Sequence, residues 1–152
     1  MGQQSIMGGQ SWIRNPFGRT PRPSLDDRTF GAISMTPGKC WENRAFRFAG
    51  YEGMQLLVDG DEGGPTQAQR HFFEELSARY TELEPRIRQA LSAYREDHPP
   101  QEHFRLTAIY VPSFREQQSR TWRLWYDLEG EEHFTYGVEM SDWNRVVPFA
   151  ED

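Results

Sequence analysis

The stretch LWYDLEGEEHFTYGVEM, residues 124–140, indicates most clearly how this chain folds. It holds two runs in which large apolar residues alternate with polar ones, and the alternation stops between Glu129 and His133. A period of two is typical of a strand that buries one face. Gly130 supplies the backbone freedom that a tight turn uses. The stretch therefore predicts two antiparallel strands joined by a hairpin turn.

The turn also carries Glu131, Glu132 and His133, which are residue types found in acid/base and metal sites. A general acid paired with a base needs a low-dielectric cleft, and adjacent carboxylates at the tip of a hairpin lack one. The chain contains no HExxH sequence and no paired CxxC, which zinc sites commonly use. We therefore predict a solvated turn and assign no catalytic residue, no metal and no cofactor.

Outside this hairpin, further strands and two helices are predicted. Helical spacing of apolar residues covers Thr66 to Tyr80 and then Glu84 to Tyr94. Thr81 and Glu84 fit a capping box, and a proline is tolerated in the first turn of a helix, so a second helix is expected to begin there. The predicted strands are residues 29–35, 40–48, 54–58, 104–111, 121–128, 134–140 and 143–149. This order predicts an α+β fold, a mostly antiparallel sheet with two amphipathic helices inserted after the third strand.

Composition predicts the domain organisation and the compartment. Residues 1–28 are expected to form a flexible tail containing Gly, Pro and Arg, and residues 29–152 a single α+β domain. The formal net charge of −6 argues against nucleic-acid binding, which needs a basic surface. No apolar run approaches the length of a membrane span, and Cys40 is the only cysteine. We therefore expect a cytoplasmic protein that does not insert into a membrane.

The order of several short segments resembles that of a known group of proteins. The segments are FGAIS, CWENRAF, MQLLVDGDE, QRHFFEELSARY, IRQALSAY and RLWYDLEGEEHFTYGVEM. Together they look like uncharacterised bacterial domain-of-unknown-function families, which include small α+β proteins of the immunity type. The resemblance covers about residues 29–149. It implies a small α+β fold and a toxin protein as partner, and it brings no catalytic residues with it.

The hairpin offers acidic side chains beside aromatic ones, which is the composition of a protein-binding surface. The predicted partner-binding residues are Trp125, Asp127, Glu129, Glu131, Glu132, Asp142 and Trp143. The first hypothesis is a non-enzymatic binding module, of immunity or adaptor type, whose acidic face meets a basic protein. The alternatives are a small hydrolase whose His, Glu and Asp residues converge in the fold, and a component of a larger assembly. The oligomeric state stays open.

Overall fold

The sheet and its one long connection define the architecture. The computed structural model describes residues 11–13, 22–114 and 121–152. Nine strands form one sheet in sequence order, and all neighbouring strands are antiparallel except β5 and β6, which are parallel. The strands are β1 (Ser11–Ile13), β2 (Arg22–Asp27), β3 (Gly31–Met35), β4 (Cys40–Phe48), β5 (Tyr51–Asp59), β6 (Phe104–Val111), β7 (Thr121–Leu128), β8 (Thr135–Ser141) and β9 (Arg145–Glu151).

A single helix, α1 (Gln67–Tyr94), connects the parallel strands β5 and β6. Parallel neighbours need a crossover connection of this kind, whereas every other junction is short enough for antiparallel pairing. The helix covers one face of the sheet, and the alternating apolar residues of the strands pack against it. On β7 these are Trp122, Leu124, Tyr126 and Leu128, all buried. No helix among the described residues is long and apolar enough to cross a membrane.

The prediction of two helices after the third strand is wrong, because α1 runs through Pro85 without interruption. Buried residues continue along one stripe on both sides of the proline, at Leu76, Tyr80, Leu83, Ile87 and Leu91. Burial of that stripe outweighs the backbone hydrogen bond that a proline inside a helix removes. With the parallel pair, the result is a mixed sheet with one helix.

The capping box of α1 lies at Thr66, not at Thr81. The Thr66 side chain accepts a hydrogen bond from the Gln69 backbone N–H (3.2 Å), and the Thr66 N–H donates to the Gln69 side chain (2.8 Å). The buried Gln69 amide also donates to the carbonyl oxygens of Asp59 and, at 2.9 Å, Pro112. Gln69 thereby joins the start of the helix to the ends of both parallel strands.

The sheet begins earlier in the sequence than the predicted domain does. Strand β2 pairs with β3, and Leu25 packs against the core. Asp27 accepts hydrogen bonds from Arg70 on α1 (2.6 and 3.1 Å) and from the backbone N–H groups of Thr29 and Phe30. Most of residues 1–28 lie outside the described residues, so a flexible tail stays a prediction, but residues 22–27 are a strand.

Candidate functional site

The face of the sheet opposite α1, called here the open face, has no described element packed across it. Polar residues alternate there with several apolar ones. Leu57, Trp125 and Phe149 are only half-buried, and Val147 is 40% exposed. Apolar side chains gathered on an uncovered face are typical of an interaction surface.

A row of paired residues explains the shape of the open face. Gln55, Ala108, Trp125, Gly137 and Phe149 are neighbours across strands β5 to β9. The β6 register shifts between residues 106 and 108, which brings the short side chain of Ala108 beside Trp125. Phe149 covers Gly137 so closely that a Cβ atom there would overlap its ring. Phe149 also meets the Trp125 ring edge-on at 6.3 Å. Trp125 therefore stands between two positions that have little or no side chain.

A cavity of about 460 Å³ lies next to Trp125, and we call it the open-face depression. Leu57, Ala108 and Trp125 from three adjacent strands line its apolar part. Its polar lining comes from Gln55 on β5, Thr107 on β6, the β7–β8 connection with the start of β8, and the last two residues of the sequence. These polar residues include Glu132, His133, Glu151 and Asp152. An apolar surface bordered by a few polar groups is the usual form of a binding site.

The adjacent glutamates of the hairpin lie in different surroundings. Glu132 is exposed and lines the open-face depression. Glu131 instead binds Arg95 at the end of α1 and accepts a hydrogen bond from the Tyr136 hydroxyl (2.9 Å). Arg95 lies over the Tyr136 ring at 5.6 Å and pairs with both carboxylate oxygens of Asp97 (2.9 and 3.0 Å). Glu131 therefore belongs to a structural ion-pair cluster.

The titration behaviour of that cluster agrees with a structural role. Arg95 donates hydrogen bonds to Asp97 and to the Tyr136 hydroxyl oxygen, and these bonds raise the pKa of Arg95, while the bond from Arg95 lowers the pKa of Asp97. Burial raises the pKa of Tyr136, and its hydrogen bond to Glu131 raises it further. These pKa shifts favour a charged Arg95–Asp97 ion pair beside a neutral Tyr136 hydroxyl. A pair that exchanges protons at neutral pH would need a group whose pKa is moved toward 7.

Asp142 and Trp143 lie beyond the opposite end of β8 from Glu131 and Glu132. Trp143 stacks on Phe72 of α1 at 5.3 Å, and the Asp142 carbonyl accepts a hydrogen bond from the Trp122 indole (2.9 Å). Trp143 is half-buried against the helix side of the sheet. It is therefore separated from Trp125, which faces the other way.

The predicted partner-binding residues thus occupy several places. Trp125 and Glu132 meet in the open-face depression, and Asp127 lies on the same side of β7. Glu129 is 76% exposed at the turn, about 4.0 Å from His103. Whether any of them binds a partner stays a prediction.

Sequence reasoning missed Leu57, Ala108 and Glu151, which also line the open-face depression and come from distant strands. The signal for Leu57 and Trp125 was an apolar residue on the polar side of a strand.

Two observations bear on the alternative that the protein is a small hydrolase. Burial, followed by the nearby Asp59 and Glu42, raises the pKa of the Cys40 thiol to about 11, so the reactive thiolate is scarce at neutral pH. Across residues 22–114 and 121–152, no three His, Cys, Asp or Glu side chains are grouped closely enough to hold a metal ion.

Comparison with known proteins adds no relative. No family model, no curated protein and no solved structure matches this chain. The resemblance to immunity-type families therefore stays a prediction.

Proposed function

We propose that this protein is a non-enzymatic binding module whose open face contacts another protein with a basic surface. The observation that carries the proposal is the open-face depression, where half-buried apolar residues lie beside acidic ones. Protein interfaces commonly combine an apolar or aromatic centre with a polar rim. A binding role of immunity or adaptor type fits this surface.

Charge supports a basic partner. The chain carries 23 acidic residues against 17 basic ones. Acidity of this kind speeds the encounter with a positively charged protein, and salt weakens the effect. The rim carboxylates Glu132 and Glu151 are placed to act at short range after the encounter.

Site-directed photocrosslinking tests the proposal. A photoreactive amino acid replaces Val147 on the open face, and a matched variant carries it at Ala78, which is exposed on α1. We expect a covalent adduct with a basic protein from position 147 only, and less adduct as salt is raised. Equal adducts from both positions, or an acidic partner, would contradict the proposal. Identification of the partner by mass spectrometry completes the measurement.

A further inference from the structure

We propose that the open-face depression accepts an arginine side chain of the partner, with its guanidinium against Trp125 and within reach of Glu132 and Glu151. This inference rests on the proposed function and names the chemistry of the contact. Three observations carry it. Several arginines of this chain lie over aromatic rings, the Arg95 cluster is a complete example of such a site, and the carboxylates at the depression have no basic partner among the described residues.

Arginine over an aromatic ring is a repeated arrangement in this protein. The pairs are Arg79 over Trp143 at 5.1 Å, Arg88 over Tyr126 at 5.7 Å, Arg95 over Tyr136 at 5.6 Å and Arg123 over Phe149 at 5.8 Å. Tryptophan is the aromatic side chain that attracts a cation most strongly. Among the described residues, no cation lies over Trp125, so the indole of the depression is free for a cation from outside.

The Arg95 cluster shows which parts such a site needs. One arginine lies over the Tyr136 ring and is held by two carboxylates, those of Glu131 and Asp97. The open-face depression contains the corresponding parts, namely an indole and the carboxylates of Glu132 and Glu151. Glu131 and Glu132 are adjacent, so the same hairpin turn would contribute one carboxylate to each site. Only the arginine is missing from the second.

Charge complementarity selects a cation as the occupant. In the part of the chain that the structure describes, no arginine or lysine forms an ion pair with Glu132 or Glu151. Arg123 on the same face is bound to Glu139 (2.9 Å) and covers Phe149, so it does not neutralise them. A planar, weakly hydrated guanidinium stacks on an indole and binds carboxylates better than an ammonium does. The occupant is therefore arginine in preference to lysine.

The test uses short peptides and the full chain. A capped Gly-Gly-Arg-Gly-Gly peptide is titrated into the labelled protein, and the Trp125 indole and the Ala108 amide are followed by NMR. The matched peptides replace arginine with citrulline, which has the same shape without the charge, and with lysine. We expect saturable shifts with arginine, weaker ones with lysine and none with citrulline.

Protein variants locate the binding. Glu132→Gln and Glu151→Gln should each raise the dissociation constant of the arginine peptide by about three-fold, and Trp125→Leu by about five-fold. Glu129→Gln is the matched control, because it removes the same charge from the same hairpin outside the depression, and it should change nothing. The glutamate variants replace a side chain by its amide on an exposed or rim position, so their fold is retained even if Trp125→Leu fails to fold.

Four results would overturn the inference: no saturable shift at Trp125, equal binding of the citrulline peptide, equal binding of the lysine peptide, or an equal effect of Glu129→Gln. These failures are distinguishable from failure of the proposed function. If position 147 still crosslinks a basic protein while the arginine peptide does not bind, the open face is an interface that works without an inserted arginine.

Discussion

Glu131 and Glu132 share one chemistry and are adjacent, yet one is a structural group and the other borders a depression. The partner of Glu131 is Arg95, which is 36 residues away in the sequence. The sequence could predict the turn from the alternation on either side and from Gly130, which has a φ of +86°. It could not predict which glutamate would be paired, because that depends on where α1 ends.

The two glutamates should therefore differ in their contribution to stability. Glu131→Gln removes a charge that Arg95 binds at a site where both side chains are about one quarter exposed, 24% and 26%. We expect the free energy of unfolding to fall by about 1 kcal/mol. Glu132→Gln, an equal change one residue later, should leave it unchanged. Urea denaturation of both variants measures the difference, and an equal loss in both would mean that the Arg95 cluster does not stabilise the fold.

At the scale of the element, α1 shows where local patterns mislead. The apolar stripe was visible in the sequence, and its phase continues from Leu76 through Ile87. The pair Thr81 and Glu84 matches a capping box, and Pro85 suits a first turn, so local signals favoured a break. Tertiary burial of the whole stripe decides in favour of one helix. The true cap at Thr66 uses a glutamine at the third helical position, and its strength depends on contacts with distant strands.

Substitution of the two threonines tests this boundary. Thr66→Ala removes the side-chain oxygen that accepts from the Gln69 N–H and should lower the free energy of unfolding by about 1 kcal/mol. Thr81→Ala changes an exposed residue inside the helix and should have no destabilising effect, since alanine favours helix more than threonine does. Thermal unfolding followed by circular dichroism gives both values. If Thr81→Ala lowered the free energy of unfolding more than Thr66→Ala does, a second helix beginning near residue 81 would be supported instead.

At the scale of the whole molecule, strand positions were easier to predict than strand neighbours. Alternation marked the strands around Leu124 and Val138, because each buries one face. The parallel pairing of β5 with β6 could not be predicted, since it follows from the path of α1 and from the contacts of Gln69. The open-face depression depends in turn on that pairing, which places Leu57 near Ala108 and Trp125. The sequence marks single apolar residues such as Leu57 and Trp125, but no local signal shows which residues of the five strands meet at one site.

The residue at which the folded domain begins also depends on the whole fold. A chain shortened to begin at Arg22 keeps β2, while one that begins at Thr29, the boundary predicted from composition, loses it. The second chain lacks the pairing of β2 with β3, the packing of Leu25 and the contacts of Asp27. We expect it to be less stable than the first by about 3 kcal/mol. Urea denaturation of the two shortened chains and the full chain measures this.

Measuring stability at acid pH separates the contribution of Asp27 from the other causes of the lower stability of the chain that begins at Thr29. Burial opposes ionisation of this carboxyl, but hydrogen bonds from Arg70, Phe30 and Thr29 lower its pKa below the ordinary value of 3.8. A carboxyl whose pKa is lowered by folding stabilises the folded state fully above its unfolded pKa, and this stabilisation is lost as pH falls through the folded value. The stability difference between the chains beginning at Arg22 and Thr29 should therefore narrow below about pH 4. If the two chains are equally stable at neutral pH, β2 adds nothing and the domain does begin at Thr29. If the difference is present but does not narrow in acid, pairing and packing of β2 account for it without Asp27.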